Sequence, residues 1–222
     1  MSLESTSETI RAQFTDKNAA RDLALARSRE LIRLCAETIR ATHRREWVAA
    51  DDKLAAVRAG ADFLRAAVAG YPDLYHTGYT QDALKEVVEA FATVAIIRDQ
   101  PLPTPGDLAV DGDTWLNGMA EAATELRRFI LDILRREDGG DAESVAEAER
   151  LLGWMDAIYD QLVTFDFPDA ITGDLRRRTD IVRGVLERTR GDLTTTLQQQ
   201  RLQAALRQTE HLLAGNEGGA TA

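Results

Sequence analysis

The sequence predicts an all-α fold: a single-domain bundle of six or seven helices over residues 1–214, followed by a disordered tail over 215–222. Two patterns and one composition carry that expectation. Apolar residues recur at spacings of three and four through most of the chain, and no segment keeps the alternation of a half-buried strand. The breaks in the pattern fall at clusters of Gly and Pro, which end helices by admitting left-handed turns or by removing an amide donor. The 222 residues are 44% hydrophobic, enough to bury one sizeable core, and no low-complexity linker divides them.

Residues 5 to about 47 read as one long helix or a closely broken pair, with Leu23, Leu31, Ile32, Leu34, Cys35 and Ile39 on its apolar side. Arg29, Arg33, Arg40 and Arg44 fall within about 40° of one another on a helical wheel. Glu37 interrupts this stripe, and His43 and Arg45 extend it. It is either a solvated face or a surface for phosphates or an acidic neighbour. A second helix, about Ala49 to Ala69, carries Leu54, Val57, Ala61, Leu64 and Val68 and stops at Gly70-Tyr71-Pro72. The third starts near Pro72 or Asp73, includes Tyr75, His76 and Tyr79, and ends near Arg98-Asp99. Pro101, Pro103 and Pro105 then open the longest loop, which runs through Asp111-Gly112-Asp113 with a short turn at Asp107-Leu108-Ala109. The helix from Thr114 to about Arg136 presents Leu116, Met119, Ala123, Leu126 and Ile130, and Asp138-Gly139-Gly140-Asp141 breaks the chain after it. Two more helices follow, about 142–164 and about 174–213, separated by a turn from Phe165 to Gly173 that contains Pro168.

The third helix carries the chemical tension. Leu84-Lys85-Glu86-Val87-Val88-Glu89-Ala90-Phe91-Ala92-Thr93-Val94-Ala95-Ile96-Ile97 is apolar nearly all round, as in a helix buried within a bundle. Glu86 and Glu89 nevertheless share one face, about 60° apart, and buried carboxylates need protons, partners or a metal. Pairing of Glu86 with Lys85 or with an arginine of a neighbouring helix is one solution, with Glu89 at the rim of the core. A second acid pair, Glu121 and Glu125, stands one turn apart on the Thr114–Arg136 helix; by pattern alone it belongs with Arg128 on a solvated face. Were the two pairs to face each other, four carboxylates would converge, and protons or cations would have to compensate them. Oxygen-only ligation of that kind suits Mg²⁺ or Mn²⁺.

Composition and motifs exclude much else. The formal net charge is −10, so the chain is no general binder of polyanions, although local fields outweigh the total. Of the 27 basic residues only Lys17, Lys53 and Lys85 are lysines, the rest being arginines suited to bidentate phosphate contacts. Cys35 is the only cysteine, which rules out an intramolecular disulfide and a multi-cysteine zinc site. None of His43, His76 and His211 follows a glutamate at the spacing of di-iron bundles, and Gly-rich phosphate loops and nucleophile elbows are absent. No run of about 18 apolar residues offers a membrane span, and the first residues lack the character of a secretory signal, so a cytoplasmic chain without membrane contact is expected.

Three segments resemble the translin family, and within it the Trax branch. Tyr75-His76 followed by Leu84-Lys85-Glu86-Val87-Val88-Glu89-Ala90 resembles the Trax helix with its Glu-x-x-Glu-Ala core. Trp115-Leu116-Asn117-Gly118-Met119-Ala120-Glu121-Ala122-Ala123-Thr124-Glu125-Leu126 resembles the family's aromatic-Leu-x-Gly helix ending in Glu-Leu. Leu175-Arg176-Arg177-Arg178-Thr179-Asp180 matches the start of its last helix. The resemblance spans roughly residues 20 to 205 and implies an all-α fold assembled as a hollow homo-oligomer, an octamer. It further implies a Mg²⁺-dependent (or Mn²⁺-dependent) endoribonuclease acting on single-stranded RNA. The Trax catalytic acids map onto Glu86, Glu89, Glu121 and Glu125: the first three as metal ligands, the last completing the shell or orienting the attacking water. Trax usually has aspartate where this chain has Glu121, one methylene longer with the same ligand oxygens. The basic stripe at Arg40, His43, Arg44 and Arg45, with His76, becomes the candidate RNA contact, or equally a subunit contact. Two alternatives are a translin-like oligomer that binds single-stranded RNA or DNA without cutting, and an all-α nucleotide pyrophosphohydrolase. The second acid pair's spacing of four disfavours the latter.

Overall fold

The computed structural model describes residues 2–136 and 141–217, with side chains as far as Glu210. Among these residues there is no strand, and six long helices make the bundle: α1 (Leu3–His43), α2 (Trp47–Val68), α4 (Gly78–Ile97), α6 (Gly112–Leu134), α7 (Ala142–Leu162) and α9 (Leu175–Glu217). Three single turns connect them: α3 (Pro72–Tyr75), α5 (Pro105–Leu108) and α8 (Asp169–Thr172). The all-α expectation holds.

Boundaries moved where side chains compete for backbone. The first helix stops at His43 because Arg45 takes a left-handed φ of 56° and the Glu46 amide bonds back to the Ala41 carbonyl at 3.0 Å. The expected third helix is two pieces. Thr77 and Thr80 hydroxyls both donate to the Leu74 carbonyl, at 2.7 and 2.9 Å, which closes α3 and restarts the chain as α4. The break expected at 138–141 lies outside the described residues except for Asp141, whose carboxylate caps α7 by accepting from the Ser144 amide. Of the expected tail, residues 215–217 belong to α9, and 218–222 lie outside the described residues.

The direction of each helix decides what meets. The short turn after α1 reverses the chain, as in any antiparallel helix pair, and α7 likewise runs back along α6, its Ile158 and Leu162 beside Trp115 and Met119. The proline-rich loop does the opposite. Arg58 and Arg65 of α2 donate to the Asp107 and Leu108 carbonyls, at 2.9 and 3.1 Å, so the loop climbs back along α2 to the level where α4 began. There α6 starts: the Thr114 hydroxyl donates to Gln81 at 2.6 Å, and the Trp115 indole donates to the Pro103 carbonyl at 3.0 Å. Thus α4 and α6 run parallel, in register from their first turns. Gly118 lets them touch, because a Cβ there would lie 2.5 Å from Val88 Cβ and 2.8 Å from the Lys85 carbonyl oxygen. Around this pair the fully buried Leu31, Leu64, Leu84, Ile96, Leu126 and Phe129 form one continuous core with α1, α2, α7 and α9.

Candidate metal centre

In-register packing of α4 on α6 puts the two acid pairs side by side. Glu86, Glu89 and Glu121 each offer one carboxylate oxygen within 4.8 Å of the others, and all three residues are half-buried. This corrects the solvated face that pattern alone assigns to the second pair. α6 is buried over so much of its circumference, from Thr114 to Ile133, that Glu121 has no water-only side to occupy.

Compensation within the site is uneven. Lys85 Nζ lies 2.7 Å from Glu121 Oε1 and 3.2 Å from Glu86 Oε1, bridging the helices. Arg178, from the first turn of α9, donates to the same Glu121 oxygen. Glu125 is taken by His43, whose Nε2 stands 2.5 Å from Oε1. That bond, against the cost of burial, holds Glu125 below its ordinary pKa. Glu89 has no cationic partner among the described residues. Burial first, then the negative charges of Glu86, Glu121 and Glu125, push its pKa up to about 9. Cys35 of α1 backs the site; burial, reinforced by Glu86 and Glu89, holds its thiol far above the usual range, so it is a neutral wall.

The donor set fits a hard divalent cation. Three oxygens converge from two helices held in fixed register, and burial together with its negative neighbours pushes the pKa of one of the carboxylates, Glu89, up. Of the two partners read from the sequence for Glu86, Lys85 is the one present; the arginine from another helix, Arg178, pairs with Glu121 instead, and Glu89 is left over.

Of the five basic residues expected to meet RNA, the structure leaves Arg40, Arg44 and His76 exposed. His43 and Arg45 turn inward, which corrects their place in the stripe. The His43 side chain is 3% exposed against Glu125. Arg45 pairs with Glu147 at 2.6 Å and lies over the Phe129 ring, because its left-handed backbone points it into the bundle. Sequence reasoning passed over Arg178 as a site residue. A signal existed: Leu175, Val182, Leu186, Thr189 and Leu193 are the buried stripe of α9, and Arg178 falls in that stripe where a large apolar residue would otherwise stand.

A helical bundle with a carboxylate cluster between two parallel inner helices defines a class of acid-site α-proteins, and relatives narrow it. No family model matches the sequence. The chain is 30% identical over 199 residues to the uncharacterised protein MJ0175 of Methanocaldococcus jannaschii, covering 89% of this chain and 85% of that one. Among solved structures, it superposes on AfC3PO in complex with duplex RNA with a TM-score of 0.78 and 31% identity, covering 86% of this chain and 96% of the other. AfC3PO alone gives 0.77 and 30% over the same shares. Apo-NeC3PO, at 20% identity, matches in fold with a TM-score of 0.77 over 88% of this chain and all of the other. The chain belongs to the translin/Trax-like C3PO family. Among the described residues no helix is long and apolar enough to cross a membrane.

Proposed function

We propose that this chain is an endoribonuclease that hydrolyses phosphodiester bonds of single-stranded RNA with Mg²⁺ or Mn²⁺ held by Glu86, Glu89 and Glu121. The observation that carries the reading is the convergence of Glu86, Glu89 and Glu121, in which Glu89 has no cationic partner among the described residues and its pKa is pushed up to about 9. A bound dication would lower the pKa of a water and neutralise charge on the phosphodiester during in-line attack. The chain's own residues do the rest. Glu125, kept ionised by His43, would orient that water by accepting a hydrogen bond from it. Lys85 fixes the spacing between the α4 and α6 carboxylates. Exposed Arg40 of α1 and His76 would supply positive or hydrogen-bonding surface for an incoming strand, and Arg44, just past the end of α1, would join them on leaving the Glu46 carboxylate it now pairs with.

A homo-oligomer, the octamer implied by the family, accompanies this function. Support comes from the ends of the long helices, where Leu3, Ile10 and Phe14 of α1 and Leu202 and Leu206 of α9 are exposed apolar residues with no core beneath them. The decisive assay incubates the protein with labelled single-stranded RNA, duplex RNA and single-stranded DNA, each with Mg²⁺, Mn²⁺ or EDTA. Cleavage of single-stranded RNA that needs metal supports the proposal; no cleavage under any condition rejects it. One observation favours a second reading, a module that binds without cutting: Lys85 and Arg178 already neutralise Glu121 without a metal. Retention of RNA without cleavage in that assay is its signature.

A further inference from the structure

The acid site already holds two positive charges, and their placement bears on how many dications it can take. Lys85 sets Nζ 2.7 Å from Glu121 Oε1 and 3.2 Å from Glu86 Oε1, so one ammonium bridges carboxylates of α4 and α6. Its side chain is only 11% exposed, which commits the ammonium to these oxygens rather than to water. Arg178 donates to the same Glu121 oxygen. Both cations therefore sit on Oε1 atoms. Oε2 of Glu86 and Oε2 of Glu121 have no cationic partner among the described residues. Glu89, with neither oxygen paired, completes the group that offers three converging oxygens.

Two-metal hydrolases hold their ions about 3.5–4 Å apart. Carboxylates must then reach both ions, through a shared oxygen or with one oxygen each. Here the second position is filled, because the Lys85 ammonium makes the contacts to Glu86 and Glu121 that a second dication would make. Charge in direct contact points the same way. Glu86, Glu89, Glu121 and Glu125 carry four negative charges when ionised; Lys85 and Arg178 offset two, and one dication offsets the rest. Any charge on His43 adds to the positive side, and farther out Arg128 and Asp132 offset one another, each 4.0 Å from the Glu125–His43 pair. Asp82 and Asp113 share a cavity with Lys85 and Arg178 but form no ion pair with either, so they do not draw the cations off the glutamates.

We propose that Lys85 occupies the second cation position of the acid site, so that each chain takes one Mg²⁺ or Mn²⁺ on Glu86, Glu89 and Glu121 beside a fixed ammonium. This rests on the metal reading above and assigns to Lys85 the control of how many ions bind.

The test is Mn²⁺ binding to the full chain without RNA. Calorimetry reads the number of ions and their affinity, electron paramagnetic resonance reads coupling between ions, and circular dichroism checks the fold of each variant. The unaltered chain should take one Mn²⁺ with the spectrum of an isolated ion. Lys85→Gln removes the charge and keeps an N–H for Glu121, while the Gly118 contact and the Thr114–Gln81 hydrogen bond hold the helices in register. It should bind a second, coupled Mn²⁺. The first ion should bind at least about tenfold more tightly, because a like charge a few ångströms away is gone. Lys85→Arg keeps the charge and should stay at one ion; Lys85→Met serves if the glutamine variant fails to fold. Were Lys85 only a tie between the helices, removing it would weaken Mn²⁺ binding instead. A charge-removing variant that stays at one ion, or loses affinity for it, overturns the proposal. So does a second ion in the unaltered chain or in Lys85→Arg. Absence of any Mn²⁺ binding to the unaltered chain overturns the metal reading itself, and the role of Lys85 with it.

Discussion

The two helices that make the acid site differ in how their charges are met. On α6 both glutamates come with partners supplied by the fold: Lys85 and Arg178 for Glu121, and His43 for Glu125. On α4, Glu86 shares Lys85 with Glu121, and Glu89 takes a proton instead of a partner. The α6 side is thus complete in the folded chain. The α4 side is complete only when a proton or an external cation arrives, so it is the half of the site that a bound metal would complete.

Swapping each acid for its amide breaks this comparison most directly. Glu89→Gln removes the group that depends on a cation, so metal-dependent cleavage should fall at least about a hundredfold, the scale of losing a group that stabilises transition-state charge. Assembly should persist, and the metal-free protein should melt higher at pH 8, because a neutral amide replaces a carboxyl whose ionisation is opposed there. Glu121→Gln leaves Lys85 and Arg178 without their shared acceptor, so the metal-free protein should lose about 1–3 kcal/mol. Melting curves with and without Mg²⁺ separate the two: equal shifts of the same sign in both variants would erase the asymmetry between the helices.

Acid pH probes the same asymmetry without mutation. Glu89 binds its proton more tightly folded than unfolded, so between about pH 4.5 and about 9 the native chain holds more protons than the denatured one. Stability of the metal-free protein attributable to this group is therefore full below that window and is lost as pH rises through it. Glu125 has the opposite sign: His43 lowers its pKa, and the stability this confers is present above the ordinary glutamate value and lost as pH falls through the depressed one. A ligand that must displace the Glu89 proton gains affinity with pH, by about tenfold per unit for one proton. Calorimetric titration of Mn²⁺ at pH 6, 7 and 8, in buffers of differing ionisation enthalpy, reads that release; pH-independent binding without proton release would remove Glu89 from the ligand set.

How much of this was legible beforehand differs between fold and site. The bundle was legible because its long helices keep their apolar spacing, and Gly and Pro mark ends such as that of α2 and the loop after α4. The break at His76–Thr77 was not, since it depends on two threonine hydroxyls finding the Leu74 carbonyl, a competition that periodicity does not register. The acids of α4 stood out as charges in an apolar run. Those of α6 did not, because their burial comes from α4 lying parallel rather than antiparallel. That direction is set by a loop climbing α2 through arginine-to-carbonyl bonds. Family resemblance pointed to Glu121 and Glu125 where patterning could not. Neither route distinguished Arg178 from its neighbours Arg176 and Arg177, which are exposed; only the phase of the buried stripe on α9 does so.

The finest test of the comparison uses two glycines. Gly118 sits where α6 presses on α4, and an alanine methyl there would meet Val88 Cβ at 2.5 Å, its Cγ1 at 2.7 Å and the Lys85 carbonyl oxygen at 2.8 Å. The last of these is backbone, so the helices themselves must part. Gly118→Ala should cost about 1–3 kcal/mol by overpacking, and it should weaken Mn²⁺ binding because Glu121 moves away from Glu86 and Glu89. Gly153, exposed within α7, has nothing within 4 Å of the added methyl. Gly153→Ala should therefore stabilise by about 0.5–1 kcal/mol through helix propensity alone and leave metal affinity untouched. Loss of Mn²⁺ affinity in the first variant and not in the second locates the coupling at the contact between the inner helices. Similar losses in both would mean that the acids of α4 and α6 do not depend on that contact for their alignment.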